Sequence, residues 1–118
     1  MENKISFKEL IVWQKAMDLV SKVYELTKLL PKDEMYGITS QVRRSAVSIP
    51  SNIAEGSKRG SRKDYCQFLK MANGSAAELE TQLLLIQKIY SLEIGQVTSI
   101  LFEVQKMLTV IIKKLDIR

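Results

Sequence analysis

This chain predicts an all-α fold, an antiparallel up-down four-helix bundle forming one domain over residues 1–118, on three observations. Apolar side chains recur in steps of three and four through four long segments. Only two prolines and five glycines interrupt 118 residues, so long regular elements are allowed. Nowhere do apolar and polar residues alternate as in a half-buried strand, and the β-branched residues fall on helical steps. Tight links between such rods make consecutive rods antiparallel neighbours.

The first segment runs from about Phe7 to Leu30. One apolar stripe reads Leu10, Trp13, Met17, Val20 and Tyr24; a second beside it reads Val12, Ala16, Leu19, Val23, Leu26 and Leu30. Together they give the helix a wide apolar side, and Pro31 is expected to stop it. The second helix starts between Asp33 and Thr39, with Ile38, Val42, Ala46, Ile49 and Ile53 inward. Pro50 lies inside this pattern, where it removes one backbone hydrogen bond and crowds the Ala46 carbonyl. The stripe keeps its phase across Pro50, so a kink is expected rather than a break. Ser45, Ser48 and Ser51 are placed to help satisfy the freed backbone groups, and Gly56 or Gly60 ends the helix.

The third segment opens on Ser61 and Asp64, an S-x-x-D start signal. Tyr65, Leu69, Ala72, Ala76, Leu79, Leu83, Ile86 and Tyr90 then form a heptad-like seam. Its middle is small (Ala72, Gly74, Ser75, Ala76, Ala77), which lets another backbone come close. The fourth segment, from about Ile94 to Leu115, repeats the pattern at Val97, Leu101, Val104, Leu108, Ile111 and Leu115. Further apolar residues, Phe68, Met71, Leu85 and Ile89, lie beside the main seam of the third helix. A monomeric bundle buries one face per helix. The surplus fits either a generously filled core or a second face packed on another subunit.

Composition excludes much chemistry. The chain has no histidine, which removes His-based triads, most zinc sites and the Glu-x-x-His pairs of di-iron bundles. The lone Cys66 has no activating base and sits beside Tyr65 on an apolar helix, where a buried inert thiol is usual. Neither a Walker loop nor a dinucleotide-binding loop is present. The expectation is a protein that is not an enzyme, with no cofactor and no metal. No apolar run approaches the roughly 18 residues a membrane span needs, and MENKISFKEL lacks the apolar core of a secretory leader. With a single cysteine, a reducing cytoplasm is the expected location.

The net charge is +5, and all of the excess lies between Gln41 and Lys70, where seven basic residues face two acidic ones. Two features share that stretch. The first is polar: Arg44, Ser48, Ser51 and Glu55 fall on one helical face, with Ser75, Glu78 and Gln82 on the third helix. A partly buried network of Arg44, Asn52, Glu55, Ser75 and Glu78 is expected, in which Arg44 or Arg43 pairs with Glu55 or Glu78. Fixing helix register is the favoured role for it, ahead of a ligand pocket. The second is basic: Lys58, Arg59, Arg62 and Lys63 surround a tight turn that feeds a helix N-terminus. Free N–H groups and the helix dipole favour anions there. With Arg43 and Arg44 these side chains are candidate contacts to nucleic-acid phosphates, weighed against a charged loop that only solubilises. No aromatic residue is interleaved, so base stacking is not indicated and any binding should tolerate sequence. A protein-interaction adaptor, docking a partner helix on its surplus apolar faces, is the rival reading.

Three stretches carry a resemblance to a known family. They are Phe7, Leu10 and Val12-Trp13-Gln14-Lys15-Ala16; Tyr36-Gly37, Gln41, Arg43-Arg44, Ala46, Ser48 and Pro50-Ser51-Asn52-Ile53-Ala54-Glu55-Gly56; and Ala72, Gly74-Ser75, Glu78-Leu79 and Gln82. They resemble the bacterial four-helix-bundle proteins first named from intervening sequences within 23S ribosomal RNA genes. That resemblance implies a left-handed up-down bundle assembled as a ring, commonly a homopentamer. It also implies similarity to the accessory variability determinant proteins of diversity-generating retroelements, which are basic and pentameric and bind nucleic acid and a reverse transcriptase. The expected partners are therefore further copies of the chain, RNA or DNA, and a protein partner.

Overall fold

The computed structural model describes residues 6–116; residues 1–5 and 117–118, the ends of the expected domain, lie outside the described residues. Four helices follow one another: α1 Ile11–Thr27, α2 Ile38–Ser57, α3 Arg62–Tyr90 and α4 Gly95–Leu115. α1 packs on α2, α2 on α3, α3 on α4 and α4 back on α1, while the diagonal pairs bring no Cα atoms within 8 Å of one another. The molecule is a rod of 52 × 25 × 22 Å. Three contacts fix the antiparallel register of α2 on α3: Glu34 with Tyr90, Ser48 with Ser75, and Gly56 with Phe68. Positions advance along α2 as they retreat along α3.

The start of the chain differs from expectation. Phe7–Glu9 is a separate 3-10 turn, with the Ser6 hydroxyl accepting the Lys8 N–H at 3.2 Å. Leu10 is extended, and α1 begins at Ile11. The Gln14 side chain donates to the Lys8 carbonyl at 2.9 Å and lashes the turn to the helix, while the Phe7 ring stands edge-on to Trp13 with centroids 5.4 Å apart. α1 ends at Thr27 rather than running on to Pro31. Its last turn tightens, with Leu29 N–H bonding to Leu26 and Leu30 N–H to Thr27, because residues just before a proline avoid the α conformation. Leu30 stays buried all the same.

α2 starts at Ile38, whose N–H donates to the Glu34 carboxylate at 3.3 Å, so an acidic side chain one turn upstream supplies the missing cap. The helix runs unbroken through Pro50, which is itself buried. Ser48 does not turn back on its own helix. It meets the Ser75 hydroxyl of α3 at 2.8 Å, and the Asn52 amide donates to it at 2.9 Å. The two glycines have separate duties. A Cβ at Gly56 would stand 2.6 Å from the Phe68 Cβ, so its bareness seats α2 against α3. Gly60 has φ +88° and turns the chain into α3. The Ser61 hydroxyl accepts the Asp64 N–H at 3.0 Å, as the start signal predicts. Ser91, in the left-handed region at φ 55°, closes α3.

The core is one continuous column. Leu19 and Val23 of α1, Ile49 and Ile53 of α2, Leu79 and Leu83 of α3, and Leu101 and Leu108 of α4 are fully buried. In α1 the Val12-to-Leu30 stripe is the core stripe. Leu10, Trp13 and Val20 only flank it, and Met17 and Tyr24 are exposed. Among the described residues, no helix is long and apolar enough to cross a membrane.

Candidate nucleic-acid interface

The fold divides the six candidate cations between two places. Arg43 and Arg44 sit near the start of α2. Lys58, Arg59, Arg62 and Lys63 surround its end, and a rise of 1.5 Å per residue puts Lys58 about 21 Å from Arg44. Each member can then be read by what it touches.

Three of the six are employed in holding helices together. Arg43 Nε donates to the Thr27 hydroxyl at 2.9 Å, and its guanidinium lies 4.4 Å from the centroid of the Tyr24 ring. It fastens α2 to the last turn of α1. Arg59 pairs with Glu55 one turn back at 2.9 Å and lies over the Phe68 ring at 4.8 Å. Arg62 donates from Nε to the Leu115 carbonyl at 3.0 Å and from Nη2 to the Lys114 carbonyl at 2.8 Å. It thereby satisfies orphan carbonyls at the end of α4. Arg44, Lys58 and Lys63 are exposed, and no acidic side chain among the described residues pairs with them.

Two of the five expected network members, Asn52 and Ser75, are brought together. They meet through Ser48, and the Asn52 amide also donates to the Ser48 carbonyl at 2.8 Å. Arg44, Glu55 and Glu78 are not part of it, and neither arginine pairs with Glu55 or Glu78. Geometry explains both outcomes. Two serines facing each other let the helices approach to hydroxyl contact, which leaves no room for a guanidinium between them. Glu55 finds Arg59 on its own helix at the i,i+4 spacing, a shorter reach than any cross-helix partner.

Sequence reasoning missed two members of the basic corner. Antiparallel packing brings the last turn of α4 against the first turn of α3, where Arg62 bonds the Lys114 carbonyl, so Lys113 and Lys114 are carried to the end of the rod that bears Lys58, Arg59, Arg62 and Lys63. Their signal was available in the topology rather than in any motif. A surface depression of about 650 Å³ lies at this junction, lined by Arg62, Lys63, Cys66, Gln67, Lys70, Leu115 and Asp116. Lys70 reaches Asp116 there at 3.5 Å. Cys66 is only 4% exposed, which keeps its thiol from acting as a surface nucleophile. Among the described residues, no three Cys, Asp or Glu side chains converge as a metal site requires. What the corner offers is positive charge beside a helix N-terminus, an arrangement suited to holding anionic oxygen atoms.

The fold has a close counterpart among solved structures. A crystal structure from Bacteroides thetaiotaomicron, described as a protein of unknown function from the S23 ribosomal protein family, superposes with a TM-score of 0.77 at 30% sequence identity. The match covers 87% of this chain and 99% of that one. No curated protein matches the chain. The sequence profile of the 23S rRNA-intervening sequence proteins matches residues 8–113, nearly the whole of the described bundle. By that match, the chain belongs to the 23S rRNA-intervening sequence protein family.

Proposed function

We propose that this protein is a non-enzymatic, self-associating cytoplasmic bundle that binds nucleic acid, RNA first, through its basic corner. Lys58, Lys63, Lys113 and Lys114 contact phosphates in this reading, and Arg59 and Arg62 hold the corner together. The observation that carries it is the gathering of cations from three helix ends onto one end of the rod, with Lys58 and Lys63 unpaired among the described residues. The family's name adds a reason to begin with RNA. Arg43 drops out as a phosphate contact because Thr27 and Tyr24 already hold it. Arg44, near the start of α2 and about 21 Å from Lys58, is not part of the same surface.

Contacts of this kind read charge, not bases. Self-association would repeat each weak contact several times and raise avidity without new chemistry. Fluorescence anisotropy with labelled duplex RNA and DNA tests the proposal. Binding is expected to weaken by more than tenfold in the K58E/K63E double variant while the helical circular dichroism stays unchanged. Affinity that ignores both salt and this reversal would overturn it.

A second reading, the protein-interaction adaptor, draws on a different observation. A mostly apolar groove of about 520 Å³ lies between α1 and α4, lined by Leu10, Ile11, Val12, Met107, Val110 and Ile111, with Glu9 and Lys106 also lining it. Under that reading a protein partner co-purifies after nuclease treatment, and V110D abolishes the association while K58E/K63E does not.

A further inference from the structure

Gly74 lies well inside α3, where glycine weakens a helix. Nothing within this subunit requires it: a Cβ built there meets no atom within 4 Å. The cost of that glycine therefore has no return inside the subunit. Its neighbours on the outer face of α3 are Met71, Glu78, Leu85 and Ile89, in steps of three, four, seven and four through Gly74, which is helical seam spacing. Met71 is 54% exposed, Leu85 42% and Ile89 64%. Glu78 is exposed too and pairs with no cation among the described residues. This is a second seam, apolar at both ends, acidic in the middle and bare at Gly74.

The same chain carries a counterpart. An apolar trough of about 330 Å³ runs between α1 and α2, lined by Trp13, Met17, Val20, Val47, Pro50 and Ala54 among others. Val47 also lines a second depression, which holds Tyr36 and Arg44. Tyr36 is 97% exposed. Arg44 stands on this rim with no acidic partner among the described residues. The trough is built by α1 and α2 and the seam by the exposed residues of α3, so the two are separate surfaces and one copy can use both at once.

From this complementarity we infer that the outer seam of α3 packs into the α1–α2 trough of a second copy of this chain, with Glu78 meeting Arg44 of that copy. Gly74 lets the two backbones close together. The spacing fits in either direction. Seven residues rise about 10.5 Å on either helix. With Glu78 level with Arg44, one of Met71 and Leu85 comes level with Tyr36-Gly37 and the other with Ser51. The contact is heterologous, so each copy gives a seam and accepts one, and copies continue around a closed ring or along a chain. The inference rests on the self-association in the proposed function and names the surfaces that would produce it.

Light scattering on a sizing column tests it, with circular dichroism alongside. Wild type should run as a multiple of 13.5 kDa. G74L removes a helix-weakening glycine and meets open space, so it should keep or raise helicity yet run as a monomer. R44E and E78R should each weaken assembly at least tenfold, and the R44E/E78R double variant should recover it. A folded G74L that keeps the wild-type mass, or a double swap that recovers nothing, would overturn this interface while leaving self-association through another face intact. If G74L fails to fold, the charge-swap pair decides alone. A wild type that stays at 13.5 kDa at high concentration would overturn the interface and the self-association together. RNA binding, read separately, bears on neither outcome.

Discussion

Gly56 and Tyr90 show how much single side chains decide here. At Gly56 the nearest obstacles to a Cβ are the Phe68 Cβ at 2.6 Å and the Tyr65 ring at 3.1 Å. The first is fixed to the backbone and cannot swing aside. Alanine there, despite its better helix propensity, must therefore push α2 off α3. We expect G56A to cost about 1–3 kcal/mol, the range of overpacked cores, measured by urea denaturation. G74A should go the other way in the dissociated chain. Tyr90 donates its hydroxyl to the Glu34 carboxylate, and that bond, burial and the Glu34 charge together push its pKa up to about 12. The neutral phenol is the form that bonds, so its contribution is whole below pH 10. It fades as pH rises between about 10 and about 12, and it is gone above. The stability difference between wild type and Y90F should follow that course in thermal melts across the alkaline range. Gln82 is a third case. Its Oε1 is buried without a partner, so Q82M should be neutral or stabilising by up to about 1 kcal/mol.

At the scale of elements, Arg62 separates structure from binding. It closes the end of α4 from the start of α3, so R62Q should fray the last turn of α4 and lower stability by about 1 kcal/mol. K63Q next door should leave the melt unchanged and weaken only nucleic-acid affinity. Elements also set what could be read in advance. The seams of α3 and α4 were legible because one stripe in each keeps steps of three and four from end to end. α1 carries two stripes of equal hydrophobicity, and only its partners decide that Leu19 lies in the core while Met17 does not. The partners of Arg43 and Glu55 were illegible for a related reason. Sequence spacing gives distances along one helix, but cross-helix reach depends on how closely α2 meets its neighbours: α1, where Arg43 finds Thr27 and Tyr24, and α3, where Ser48, Ser75 and Gly56 set the approach. The acidic cap of α2 was hidden because Glu34 lies before Gly37, outside the usual cap position.

For the whole molecule, topology gathers what the sequence scatters. Lys58 and Lys114 stand far apart in the chain, yet the up-down path returns the end of α4 to the α2–α3 turn. If four such cations engage duplex phosphates, log K should fall with log salt at a slope of about −4. A salt titration of RNA binding measures it, and K113Q/K114Q should reduce the steepness by about 2. The apolar trough and the basic corner are built from different side chains, so variants in one should leave the other's function intact. That independence allows assembly and binding to be tested apart.

Trp13, the single indole of the chain, borders the α1–α2 trough and is half-buried there. Its fluorescence is thus a built-in reporter needing no label. Covering the trough should shift emission to the blue, and exposing it by dilution should shift emission to the red. One spectrometer and one dilution series would then give the strength of whatever sits on that face.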